Sequence, residues 1–170
     1  MIYKKILFLI MFSTSILVVH SQKFAYVDSD YILGKMPEFN QAQQRINDFS
    51  AEWQQEIESL YNQIDQMYKD YQSEQILLTP EMKIKREELI IEKEKFAQAL
   101  QQKYFGPEGT LFYKRKELIT PIQDRIQEAI KELAAKNKYQ AIFDSSSDLI
   151  MLYKDNNLDK SDKILELMGY

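Results

Sequence analysis

Eight residues, Ile46, Phe49, Trp53, Ile57, Leu60, Ile64, Met67 and Tyr71, recur at steps of 3, 4, 4, 3, 4, 3 and 4. Alternating threes and fours make a coiled-coil seam, and the extra four-step locally relaxes the supercoil. The other faces of this stretch are Gln, Glu, Asn, Asp and Lys. So narrow an apolar stripe cannot close a globular core, and the sequence predicts a long, mostly solvated helical arm.

That arm must turn back. In LLTPEM (77–82), Thr79 suits an N-cap and Pro80 the first position of a new helix, while the residue before a proline resists the helical conformation. Leu89, Phe96 and Leu100 then offer a seam for an antiparallel return limb. A reversal near 78–79 sets residues 104–110 against 48–54. The stretch YFGPEGT (104–110) holds two of the chain's four glycines and breaks the limb opposite Phe49 and Trp53. A Gly-Pro pair costs a helix interior about 4 kcal/mol against alanine. Two readings offset that cost: the backbone steps aside for the Trp53 indole, or Gly106, Pro107 and Gly109 form a hinge.

The segments around the arm are short. KFAYVD (23–28) reads as a strand, Asp28 or Ser29 caps a helix that Gly34 ends, and Pro37 opens the next. Beyond the break, Gly109 or Thr110 restarts the helix. TPIQ (120–123) reads as a further start, with Thr120 as cap, Pro121 at the first position and Gln123 completing a capping box. Ile122, Ile126, Ile130 and Leu133 form one apolar face, and Asn137 reads as a left-handed stop. YQAIFD and LIMLYKD read as two strands joined by the turn SSSD (145–148), and Asp159 or Ser161 caps a last helix carrying Ile164, Leu165 and Leu167.

Three short strands apolar on both faces need cover and edge partners, and oligomerisation supplies both. The predicted class is mainly α with a small β body: a long antiparallel helical hairpin on short strands of an oligomeric body. The body comprises 22–44 and 114–170, and the arm 45–113, with its tip near 77–80 and its break at 106–109. Phe24, Ala25, Tyr26, Val27, Ile142, Phe143, Ile150 and Leu152 are the candidate oligomerisation residues.

Residues 1–21 read as a cleaved secretory signal: Lys4 and Lys5, an apolar run from Ile6 to Val19, then Val19-His20-Ser21 at the cut. Fourteen helical residues cover only about 21 Å of a hydrocarbon core about 30 Å thick. The sole histidine leaves with this segment, and there is no cysteine. The exported chain thus lacks an imidazole base, a thiol nucleophile, a disulfide and the usual zinc ligands. With Lys4 and Lys5 gone, 20 of the 22 basic residues face 26 acidic ones, a net charge of −6. Such a surface does not attract nucleic acid as a whole.

Nothing in the remainder assembles a catalytic site, a metal site or a cofactor site. SSS (145–147) has hydroxyls without a base and reads as a turn. DNNLDKSD (155–162) lacks the alternation, central Gly and closing Glu of a calcium loop. KIKREE (83–88) is a charged, solvated helix face, and Glu52, Glu56, Glu87 and Glu88 have no closed pocket to raise a carboxyl pKa. Tyr61, Met67, Tyr68, Tyr71, Met82 and Tyr104 lie on the arms either as packing or as partly exposed groups able to hold varied chains loosely.

The order of these segments resembles the Skp/OmpH family of periplasmic chaperones. The resemblance rests on Ala25-Tyr26-Val27-Asp28 with Leu33 and Met36-Pro37, then the long hairpin. A return signature follows, Lys114-Arg115, Glu117-Leu118, Pro121-Ile122 and Ile126, and the end matches over Tyr139 to Asp144, Leu149 to Tyr153 and Asp159 to Leu167. It implies a homotrimer with a small β-barrel body and three arms around a cavity. Its implied role is an ATP-independent, non-enzymatic holdase, without cofactor, for unfolded outer-membrane β-barrel proteins in the periplasm. On that footing the candidate client-binding residues are Tyr61, Met67, Tyr68, Tyr71, Ile76, Leu77, Leu78 and Met82. The alternative is a structural coiled-coil protein of the envelope with no chaperone activity. Well-known members of the family are basic near the arm tips. This chain is acidic overall, and its tip combines Ile76, Leu77 and Leu78 with Lys83, Lys85 and Arg86.

Overall fold

A computed structural model describes residues 23–147 and 151–170. The signal segment expected at 1–21 lies outside the described residues, as do Leu149 and Ile150 of the expected last strand. The order is β1 (Phe24–Val27), α1 (Ser29–Lys35), α2 (Pro37–Glu74), α3 (Pro80–Phe105), α4 (Thr110–Asn137), β2 (Ala141–Asp144), a 3-10 turn (Asn156–Leu158) and α5 (Ser161–Met168).

Local chemistry sets most boundaries. Asp28 caps α1 by accepting from Tyr31 N–H at 2.9 Å, and Pro37 opens α2. Thr79 Oγ1 accepts from Met82 N–H at 3.3 Å, and Pro80 opens α3. At 38 residues, α2 is about 57 Å long. Its seam is the one the spacing predicts. Ile46, Ile57, Ile64 and Tyr71 are buried, and Phe49, Trp53, Leu60 and Met67 half-buried. The pairing across the hairpin is also as expected: Tyr61 meets Gln101, Tyr68 meets Glu94, Tyr71 meets Glu87, and Glu74 meets Arg86.

On α3 the seam differs from the expectation by one residue. Ile90, Ala97 and Leu100 are buried, whereas Leu89 and Phe96 are exposed. Both pairs, 89/96 and 90/97, repeat at seven, so period alone does not choose between them. Packing does: Ala97 lets the backbones close up where Ile64, Tyr71 and Ile90 already fill the interface. Accordingly, Ile90→Ala is expected to lower stability by about 2–4 kcal/mol, while Leu89→Ala stays within about 0.5 kcal/mol; chemical denaturation of both measures this.

Helix α4 runs unbroken from Thr110 to Asn137 with Pro121 inside it, so the start expected at Thr120 does not exist. The proline removes one helical hydrogen bond, a cost of about 3 kcal/mol or more. Burial of Ile122, Ile126, Ala129 and Leu133 on one face of the continuous helix outweighs it. The left-handed stop falls on Lys138 (φ 58°), not on Asn137, whose Nδ2 instead donates to Leu133 O at 2.9 Å.

β1 and β2 pair in parallel, Phe24 opposite Ala141 through Val27 opposite Asp144. The other side of β1 is bridged by Asp159, and Lys160 N–H donates to Tyr26 O at 2.9 Å. Of the strand expected from LIMLYKD, the described residues Met151–Tyr153 form none, and the chain bends at Leu152. Below the sheet, Val27, Ile32, Met36, Ile122, Ile126, Leu133 and Ile164 form one core, and the arm seam forms a second.

Candidate functional site

The break at 106–109 is a tight turn. Gly109 N–H donates to Gly106 O at 2.9 Å across Pro107 and Glu108, the arrangement in which proline favours the second position. Gly106 itself ends α3 by donating to Gln102 O at 2.9 Å. A Cβ on Gly106 would lie 2.4 Å from Gln102 O, and one on Gly109 2.7 Å from Tyr104 O and 2.9 Å from Gly106 N. The glycines thus make room for the chain's own backbone, not for the Trp53 indole. The indole instead lies flat on Tyr104, with centroids 4.8 Å apart and planes 10° apart, while Phe49 stacks on its sequence-proximal side at 5.6 Å. Phe105 closes the cluster edge-on at 6.5 Å.

Above this cluster the arm carries tyrosine–carboxylate rungs. Tyr104 hydroxyl donates to Glu56 at 2.9 Å, Tyr68 to Glu94 at 3.0 Å, and Tyr71 to Glu87. The acceptor carboxylates push all three phenols up, burial adding to the effect. These rungs answer the question of which tyrosines are packing. Tyr71 is buried in the seam and is withdrawn from the client-binding candidates. Tyr61 and Tyr68 are partly exposed rings whose hydroxyls are tied across the hairpin, and Met67 and Leu78 are half-buried beside the seam. Met82 is exposed, and Ile76 and Leu77 stand out most, at 93 % and 84 % exposure.

Sequence reasoning missed four further exposed apolar groups on the return limb, Ile84, Leu89, Ile91 and Phe96. Leu89 and Phe96 follow Met82 at sevens, a spacing visible in the sequence but assigned there to the seam. The limb's polar surface offers no catalytic grouping. Among the described residues no cluster of His, Cys, Asp or Glu could hold a metal, and no helix is long and apolar enough to cross a membrane.

The candidate oligomerisation residues divide. Ala25, Tyr26 and Val27 are buried within their own chain, Ile142 is half-buried, and Phe24, Phe143 and Leu152 are exposed. Ile150 lies outside the described residues. Phe24 and Phe143 sit side by side across the two strands at 6.3 Å.

Asp144, at the end of β2, ties the sheet to α1. It accepts from Ser29 N–H at 3.1 Å and Oγ at 2.6 Å, and from Ser146 N–H at 3.1 Å and Oγ at 2.8 Å. Burial opposes its charge, yet these hydrogen bonds hold the carboxyl below the usual aspartate range. A depressed folded value means that the stabilisation is complete above the ordinary aspartate pKa and is lost as pH falls through the folded one. Asp144→Ala is expected to cost about 1–3 kcal/mol near neutrality, and less in acid; denaturation midpoints at two pH values check both. The serines of 145–147 are therefore a turn that serves a carboxylate, in keeping with the turn expected there.

At the other end, Arg125 donates to Glu38 at 2.7 Å, and the Tyr170 hydroxyl donates to the same oxygen. That clasp brings the C-terminal residue against the start of α2.

No curated protein sequence matches the chain. A family model does: that of the OmpH-like outer membrane proteins, over residues 23–168. The match spans both strands, the whole hairpin and α5, so the chain belongs to the OmpH-like outer membrane protein family.

Proposed function

We propose that this protein is an ATP-independent holdase that keeps unfolded outer-membrane β-barrel proteins from aggregating in the periplasm, as a homotrimer whose arms enclose the client. Family membership supports a periplasmic chaperone role over an enzymatic one. The observation that carries the finer reading is the arm itself: a solvated hairpin that leaves Ile76, Leu77, Met82, Ile84, Leu89 and Phe96 exposed along and around its tip. Scattered apolar groups on a long rigid limb hold an extended chain at many weak points, as a client of no fixed shape requires. The tip pairs apolar contact with a local basic spot at Lys83 and Lys85, in place of a broad positive field.

The turn at 106–109 is the point at which the return limb can bend while α2 stays continuous, and a bend there sets the width between arms.

The test is light scattering of a urea-unfolded outer-membrane β-barrel protein diluted into buffer with and without the exported chain. Suppression of scattering by the wild type is expected. A variant with Ile76, Leu77, Leu89 and Phe96 replaced by serine should lose most of it at unchanged thermal stability. Equal suppression by that variant would remove the exposed stripe from client holding.

A further inference from the structure

A pocket of about 400 Å³ opens beside β1, walled by Phe24, Phe143, Met151, Tyr153 and Leu158. At its base Tyr26 is only 3 % exposed, and its hydroxyl has no hydrogen-bond partner among the described residues. A buried phenol with an unused O–H marks a place where a polar atom from outside the chain completes the structure. Lys154 lies over the Tyr26 ring at 5.2 Å and Asp155 lines the rim, so both charge signs border the mouth.

The adjoining segment holds the counterpart. Met151 and Tyr153 line the pocket, and the chain bends between them at Leu152. Leu152 is 96 % exposed and is not among the residues that line the pocket. Among the described residues β2 is paired only with β1.

We propose that Leu152 of a second copy of this chain fills the pocket, and that a backbone carbonyl of the segment carrying it accepts the Tyr26 hydroxyl. Each copy then both gives a side chain and receives one. The proposal rests on the assembly reading above and specifies the contact that makes it.

The chain has no cysteine, so introduced thiols report without background. Phe24→Cys and Leu152→Cys chains, one thiol each, are mixed, unfolded, refolded together and oxidised, while the wild-type mass is measured in parallel. A disulfide joining the two different chains is expected, and none when Leu152→Cys is mixed with Ile84→Cys from the arm. An oligomer lacking the 24–152 link overturns the pocket contact and leaves the assembly reading standing; a wild-type monomer overturns both. Tyr26→Phe is expected to raise the concentration for half-assembly about five- to tenfold. Unchanged or tighter assembly would show that the phenol stays unpaired and would overturn its part in the contact. Binding of one decanoate per chain by the assembled wild type would show the pocket open to a small ligand and overturn the filling by Leu152.

Discussion

Val27→Asp is expected to abolish the folded body. Val27 is buried in its own chain against Ile32, Met36, Ile122, Ile126 and Ile164, beneath the paired strands. An aspartate there is enclosed on the core side by aliphatic carbon. Burying an unpaired carboxylate, together with the lost apolar contact, costs about 4–5 kcal/mol or more, a large share of the stability of a domain of this size. Circular dichroism should show the helices of the body melting, with loss of assembly as a consequence. A variant that stays folded but monomeric would instead place Val27 on an intermolecular face.

Gly109→Ala is expected to force open the turn that joins the two limbs of the return. Any Cβ at this position meets Tyr104 O and Gly106 N, both backbone atoms that cannot swing aside, so the turn must open. Overpacking of this kind costs about 1–3 kcal/mol. The displacement should reach Tyr104 and hence the indole stacked on it, so Trp53, the only tryptophan, reports it as a shift in emission. Replacing Gly106, Pro107 and Gly109 together by alanine is a different experiment, because it removes the helix-breaking residues as well as the space. That variant is expected to gain helix through the return limb. Unaltered client capture in the straightened variant would remove the hinge from the mechanism.

Much of the arm was legible because a helix reports its buried face by period, and α2 holds one strong period over 38 residues. The reversal was legible because Thr79-Pro80 has a local mechanism. The register of α3 was not, since Leu89–Phe96 and Ile90–Ala97 carry the same spacing, and only the fit of a small residue against Tyr71 and Ile64 separates them. Pro121 misled for a related reason: its local cost is visible in the sequence, whereas the packing that outweighs it joins α4 to segments about eighty residues or more before it and about forty after it. The rungs from tyrosine to glutamate were hidden too, because no one-dimensional signal says which carboxylate lies across the hairpin. The bridge of Asp159 to β1 was hidden as well, a pairing between segments with no shared pattern.

In the function proposed, an oligomer of this chain holds an unfolded client. Native mass spectrometry of the exported chain, mixed with a urea-unfolded outer-membrane β-barrel protein as it is diluted, tests it most directly. A species of three chains plus one client is expected. A bare trimer beside aggregated client would contradict the holdase role and favour a structural protein of the envelope, and a monomer would contradict the assembly as well.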